Sequence, residues 1–321
     1  MRLKAYVPAI ILITSLLIGG CGNSNGGNAA TPSASEPASS QTSENKTRVY
    51  KSEQGEIEIP ANPQRIIAGG HLGSMIALGV KPVGAVKEWE ADSPYLAGKV
   101  DGIVDIGDPH SLEVIASLNP DLIVLSYAED IAPFSKIAPT VLIPYESLRT
   151  VDEQISVIAD LLGKDKEGAE WLEQFHKNAD EARAKVNAVI PEGKSAAIIG
   201  IMDGTVGLLG DRFGRGGQAL YNVLKLKPPE RVQKLIDGDG TVEQVSLEVL
   251  PEVVGDYIFL STFDEKDPAK KDIVNSPVWK GLDAVKNGRM FELDHNRFYF
   301  SDPISIQGQL NLIVEMLTAS K

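Results

Sequence analysis

The chain has 321 residues, a formal net charge of −13 and 43% hydrophobic residues. That length accommodates two domains of modest size, and the acidic balance argues against nucleic acid and against electrostatic adhesion to anionic lipid. A single cysteine, Cys21, excludes an internal disulfide.

Arg2 and Lys4 form a short positive region, and an apolar stretch from Ala5 to Ile18 follows, interrupted by Pro8. The stretch is too short for a good membrane span and carries the flanks of a signal peptide. Ile18-Gly19-Gly20-Cys21 comes next. Small residues before a cysteine resemble the lipobox of bacterial lipoproteins, in which that cysteine is lipidated and becomes the first residue of the mature chain. The alternative is an ordinary signal peptide with a stray Cys. Gly22 to Lys46 is rich in Ser, Gly, Asn, Thr, Ala and Pro, too poor in large apolar residues to order itself. The expected plan is a signal peptide over 1–20 and a flexible tether over 21–47 with lipidated Cys21. The body is then held at the extracellular face of the cell membrane by its lipid. Loss of Arg2 and Lys4 with the signal takes the net charge from −13 to −15.

In the body, Glu56-Ile57-Glu58-Ile59-Pro60 alternates as an edge strand does, and Arg65 to Ala68 is a short apolar strand before a Gly-rich turn and a helical run from Ser74 to Gly79. Lys81 to Val86, Asp121 to Leu125 and Thr140 to Ile143 read as further strands. Apolar strands alternating with helices predict a mainly parallel sheet covered on both faces, an α/β lobe over 48–150. Val151 to Leu162 is an amphipathic helix stopped at Gly163. Leu172, Phe175, Ala179, Ala182, Val186 and Val189 then continue a helical stripe for about six turns until Pro191. Such a stripe serves a coiled-coil seam or a strut packed on its own domains, and the two alanines favour the strut. Residues 151–191 are thus a linking segment, and 192–321 a second α/β lobe. That lobe opens on a buried strand from Ser195 to Ile201 and closes on a helix from Ile304 to Leu317.

A repeat ties the two lobes together. Ser111 to Ser126 returns without a gap as Ser246 to Ser261, with Ser, Leu, Glu, Val, Asp, Ile, Leu and Ser in register. Each copy predicts a short helix opened by a Ser cap, a turn and a buried strand. Each carries a glutamate at the same place, Glu113 and Glu248. Two like halves with matching acids fit a binding protein better than an enzyme. In open α/β sheets ligands lie beyond the carboxyl ends of the strands, which places the site in the cleft between lobes.

The lipobox, the Ser-rich tether, the two lobes and the long helix resemble the substrate-binding lipoproteins of bacterial iron-siderophore and vitamin B12 ABC importers. Phe213-Gly214-Arg215-Gly216-Gly217-Gln218-Ala219-Leu220-Tyr221, Ser276-Pro277-Val278-Trp279-Lys280-Gly281-Leu282 and Phe298-Tyr299-Phe300-Ser301-Asp302-Pro303 are similar to the ferric-hydroxamate branch of that superfamily. The resemblance covers the body from about residue 48 to the end. It implies two Rossmann-like α/β lobes joined by one spanning helix, the class III periplasmic-binding-protein architecture. It also implies a monomer that takes a ferric siderophore as transported ligand and delivers it to an ABC permease and its ATPase. Glu113 and Glu248 match the acids, one per lobe, that dock on Arg clusters of the permease. Their alternative role is to open a helix, where Glu favours the positive dipole end.

A ferric siderophore brings its own iron ligands, so no cofactor and no direct metal ligation are expected. The protein supplies apolar and aromatic walls and a few donors to the iron-bound oxygens. Arg215 suits that role through its planar fork, with a pairing to Asp211 as the alternative. Phe213 and Tyr299 match aromatic positions of the family. Phe134 aligns with a wall position that is often Tyr in relatives, so one hydroxyl is missing here. Tyr127, Lys87, Trp89 and His71 follow strand ends and are expected to face the cleft. With Arg215 and Lys87 as its cations, the cleft fits a neutral or monocationic hydroxamate complex, or a mixed citrate-hydroxamate, better than an anionic tris-catecholate. Ferric citrate, catecholates, haem and cobalamin remain alternative cargoes.

The four histidines, His71, His110, His176 and His295, show no metal-ligand spacing. Gly214 to Gly217 lacks the Lys-Ser/Thr of a P-loop, and Gly70-His71-Leu72-Gly73-Ser74 is not a nucleophile elbow. A secreted lipoprotein hydrolase is the enzyme alternative, and a non-transporting sensor is the third reading.

Overall fold

The computed structural model describes residues 46–88, 90–127, 131–202, 204–238, 240–263 and 268–319. Residues from Asn45 onward form one compact unit, opened by an antiparallel hairpin of β1 (Thr47–Ser52) and β2 (Gly55–Pro60). The first five-stranded sheet contains β3 (Ile66–Gly69), β4 (Gly84–Ala85), β5 (Val104–Asp105), β6 (Leu122–Leu125) and β7 (Thr140–Leu142). Its order is β5-β4-β3-β6-β7 and every pairing is parallel. β3 and β6 are buried on both faces, as their unbroken apolar runs require. The strand expected over Lys81–Val86 shrinks to two residues, because Pro82 has no N–H to give a neighbour. Around this sheet lie α1 (Leu72–Ala77), α2 (Leu112–Ser117) and α3 (Ala132–Ser135).

Two helices follow. α4 (Val151–Leu162) opens on a capping box of Thr150 and Glu153 and stops at Gly163, whose φ of +66° only glycine adopts freely. α5 (Asp165–Asn187) runs 23 residues, or about 35 Å. Its Phe175, Ala179, Ala182 and Val186 are buried where it packs on α4 and on the last helix. The apolar stripe is therefore an internal strut.

The second sheet contains β8 (Ala196–Met202), β9 (Thr205–Leu209), β10 (Val242–Val245), β11 (Tyr257–Thr262) and β12 (Met290–Leu293), in the order β10-β9-β8-β11-β12. β8, β11 and β12 are parallel, whereas β9 is antiparallel to β8 and β10 to β9. Two residues, 203 and 204, join β8 to β9, too few for a parallel crossover, and Gly204 supplies a φ of +76°. This half adds α6 (Glu230–Asp237), α7 (Leu250–Val253), α8 (Pro268–Asn275), α9 (Pro277–Gly281), α10 (Asp283–Lys286), α11 (His295–Phe298) and α12 (Pro303–Ala319). α12 packs on α1 and α4 as well as α5, with Ser305 Oγ 2.7 Å from Ser93 Oγ. One apolar cluster includes Ile66 and Met75 together with Ile198, Phe259 and Ile306, so the halves share a core.

The repeated strands, β6 and β11, occupy equivalent places, β6 between β3 and β7 and β11 between β8 and β12. The repeated helices differ. In the first copy Ser111 Oγ accepts from Val114 N at 3.3 Å and α2 is a regular helix. In the second, Ser246 makes no side-chain cap bond, and a 3₁₀ turn over Leu247–Val249 precedes α7. The expected Ser cap therefore holds for one copy only. Pro251 is the physical reason: without an N–H it cannot bond the Leu247 carbonyl, so the helix restarts.

Candidate functional site

The loop beyond β9 carries the most distinctive side chain of the molecule. Gly214, Arg215 and Gly216 have φ of +78°, +54° and +87°. A Cβ on Gly214 would stand 2.7 Å from the Tyr299 carbonyl oxygen, and one on Gly217 would stand 2.4 Å from the Gly210 carbonyl oxygen. Glycine is thus what lets this loop lie against the Phe298–Ser301 segment. Arg215 alone holds a left-handed conformation there with a side chain, at a cost on the order of 1 kcal/mol.

That cost places a guanidinium between rings. Its central carbon lies 4.1 Å from the Phe263 ring centre and 4.6 Å from that of Tyr299, and Nη1 lies 2.9 Å from Nδ1 of His295. Arg215 is 3% exposed, whereas Tyr299 is 49% exposed. Burial pulls the Arg215 pKa down to about 10, so the group stays cationic at neutral pH. Phe213 packs at 5.6 Å on Phe263, and Phe300 stands edge-on to Tyr299 at 5.1 Å. Phe263 follows β11, and His295 follows β12, so the cluster borders the carboxyl ends of two parallel strands. Asp211 does not pair with Arg215: it faces Arg212 at 3.8 Å and accepts from Asn222 at 3.1 Å.

Beside this cluster, a cavity of about 260 Å³ is lined by Tyr145, Glu146, Arg149 and Gln154 from one side and by Asp211, Arg212, Gln218 and Ser301 from the other. Gln154 Nε2 donates to the Ser301 carbonyl at 3.2 Å, and Gln218 Nε2 donates to the Arg149 carbonyl. Its two acids balance its two arginines.

Below the cleft, two carboxyl groups close on Gly73. Glu90 accepts from His71 N at 3.1 Å and Gly73 N at 2.6 Å. Asp302 caps α12 through Oδ1, accepting from Ile304 N and Ser305 N at 3.1 Å each. Among the described residues its buried Oδ2 has no hydrogen-bond partner. Burial first, then the charge of Asp302, push the Glu90 pKa up to about 8, and burial also raises that of Asp302.

Several expected cleft residues lie elsewhere. His71 is buried at the start of α1, with Nε2 2.8 Å from the Ile143 carbonyl and its ring stacked on Tyr145 at 6.1 Å. Burial lowers its pKa, so it is a neutral, packed group and not a cleft donor. Phe134 sits in the core under the first sheet with Ile67 and Leu125, edge-on to His110 at 6.0 Å, because α3 turns it inward. Tyr127, 66% exposed, stands two residues beyond β6, and Lys87 is exposed beyond β4. Trp89 and Cys21 lie outside the described residues. Phe263 and His295 were missed. Phe263 stands two residues beyond the repeated segment, a place at the strand end that the repeat itself marks. His295 carried no such signal.

Glu113 and Glu248 are both exposed. Glu113 opens α2 after β5, and Glu248 lies just after β10. β5 and β10 are the outermost strands of their sheets and run parallel to the central strands. Each acid therefore stands near the carboxyl edge of its own sheet.

Residues 67–296 match the family model described as periplasmic binding protein. The chain belongs to this family. Among periplasmic binding proteins, the chain is 35% identical over 320 residues to the iron(3+)-hydroxamate-binding protein YxeB of Bacillus subtilis, covering 99% of this chain and 97% of that one. A crystal structure of an FhuD fold-family protein from Bacillus subtilis, described as a component of a ferrichrome ABC transporter, is 36% identical. It superposes with a TM-score of 0.75 over 84% of this chain and 99% of that one. FhuD2 of Staphylococcus aureus with bound ferrioxamine B is 27% identical, with a TM-score of 0.70 over 80% and 99%. These matches carry the two-lobe α/β fold and a binding-protein family rather than an enzyme family. Among the described residues no helix is long and apolar enough to cross a membrane, and no group of three or more His, Cys, Asp or Glu is placed to hold a metal ion.

Proposed function

We propose that this protein captures a ferric siderophore of the hydroxamate type between its halves and delivers it to an ABC permease for iron uptake, held to the membrane by a lipid on Cys21. The observation that carries this reading is Arg215, a buried cation displayed inside a frame of Phe263, Phe213 and half-exposed Tyr299. The rings offer an apolar wall, and the guanidinium offers N–H donors to the iron-bound hydroxamate oxygens. Tyr127 and Lys87 are the candidates from the facing lobe. The cavity beside Arg215 has balanced charge, which favours a chelate of low net charge over a highly anionic one. The cargoes named for YxeB and FhuD2 support the same class. Glu113 and Glu248 would then be the acids presented to the permease.

The test is fluorescence titration with ferrioxamine B, ferrichrome, ferric citrate, a ferric catecholate, haem and cobalamin. Saturable quenching by the two ferric hydroxamates, stronger than by their iron-free forms, is expected. Saturation by haem or cobalamin alone overturns the cargo assignment.

A further inference from the structure

Nδ1 of His295 lies 2.9 Å from Arg215 Nη1 and 3.1 Å from the carbonyl oxygen of Thr262. A guanidinium N–H always donates, and a carbonyl always accepts. A single ring nitrogen therefore cannot satisfy both. With Nδ1 bare, its lone pair accepts a hydrogen bond from Arg215 Nη1. With Nδ1 protonated, it donates to Thr262, and Arg215 loses its acceptor.

We propose that His295 is a positioning residue for cargo binding, its bare Nδ1 holding Arg215 in the aromatic frame, so that protonation of the imidazole releases the guanidinium and weakens the grip on a ferric hydroxamate. The Nε2–H tautomer is the one selected, because a hydrogen bond from a cation outweighs one between neutral groups. The imidazolium would also stand beside a second cation. Among the described residues Arg215 has no carboxylate partner to compensate, since Asp211 serves Arg212 and Asn222. The described groups facing the ring are Arg215 and Phe263, with the Thr262 carbonyl, from the second half, and Tyr299 at 5.7 Å from its own helix. Its neighbour Asp294 is committed as the cap of α11, accepting from Arg297 N at 2.9 Å. Histidine is the side chain whose ordinary titration spans mildly acidic to neutral pH, so the device would operate between neutral surroundings and acidified ones.

This inference rests on the proposed cargo class, and the experiment separates the two. Ferrioxamine B is titrated into the full-length protein from about pH 7.5 to about pH 5.5, with the visible band of the chelate recorded to confirm that it stays intact. Wild-type affinity is expected to fall by about tenfold or more over that range, the scale of one hydrogen bond to a charged group. H295N supplies an acceptor that does not titrate and is expected to bind nearly as well as wild type with a flat profile. H295A is expected to bind about tenfold more weakly throughout, also with a flat profile. Ring ¹⁵N shifts should report a bare Nδ1 at neutral pH. A pH-independent wild type, an H295N profile as steep as wild type, or a protonated Nδ1 at neutral pH overturns the inference while leaving the cargo class intact. No binding of ferrioxamine B at any pH overturns both.

Discussion

Asp302→Asn tests the buried acid pair. Asp302 Oδ1 caps α12, and among the described residues its Oδ2 has no partner. A Cβ on Gly73 would come within 2.3 Å of that carboxylate, while the Gly73 N–H is bonded to Glu90 at 2.6 Å. Two acids this close, Asp302 buried and Glu90 partly buried, retain a proton that the unfolded chain has already released. The folded pKa of Glu90 is raised, so between its unfolded value and about 8 the native state binds more protons. The stability gained is complete below the unfolded pKa and is lost as pH rises through the folded one. At roughly 1.4 kcal/mol per unit, the stretch from about pH 6.5 to about pH 8 accounts for about 2 kcal/mol. His71, with a lowered pKa, acts in the opposite sense below the imidazole range, which is why the slope is best measured above it. Asn at 302 keeps the cap through its carbonyl, offers N–H groups where the acid held a proton, and removes one charge. Burial of Glu90 remains, so part of the slope remains. Urea unfolding of residues 46–321 should show wild type losing about 2 kcal/mol over that window and D302N losing less than half of it. The variant should then be the more stable of the two at about pH 8.5. A flat wild-type profile, or an Asn variant destabilised equally at every pH, refutes the reasoning.

Glu113→Ala combined with Glu248→Ala should abolish siderophore-dependent uptake in cells while leaving the affinity of the purified protein unchanged; undiminished uptake by the double variant removes the docking role. Gly214→Ala should cost about 1–3 kcal/mol in thermal or urea unfolding, since it adds a Cβ at a φ of +78° and 2.7 Å from the Tyr299 carbonyl oxygen. It should also weaken cargo binding by displacing Arg215 from Tyr299. Cys21→Ser should shift the protein from the membrane fraction to the medium, as read by fractionation and immunoblot.

Local pattern made much of the scaffold legible. The helix over 151–162 and its stop at Gly163, the strut stripe from Phe175 to Val186, and the equivalence of β6 and β11 follow from periodicity, a C-terminal glycine and a repeat, all properties of contiguous residues. The antiparallel β9 and β10 and the broken second repeat helix hang on single residues, Gly204 and Pro251, that reset local geometry. At the site, Arg215, Phe213 and Tyr299 were legible through motif resemblance, and the structure brings them together. His71 follows a strand end as expected and Phe134 stands at the aligned wall position, yet both turn inward, because neither a place after a strand nor a matched motif fixes which way a side chain points. His295 meets Arg215 across 80 positions, and Glu90 meets Asp302 from the far end of the chain. Contacts of that span leave no trace in spacing.

The central claim is that Arg215, held in its aromatic frame, grips the chelate. It is tested most directly by the affinity of Arg215→Gln for ferrioxamine B, measured beside wild type at neutral pH with folding confirmed by circular dichroism. Loss of the charge-assisted bonds predicts affinity weakened by roughly 10- to 100-fold; a folded variant that binds within about twofold of wild type, well under the value of one such bond, contradicts it.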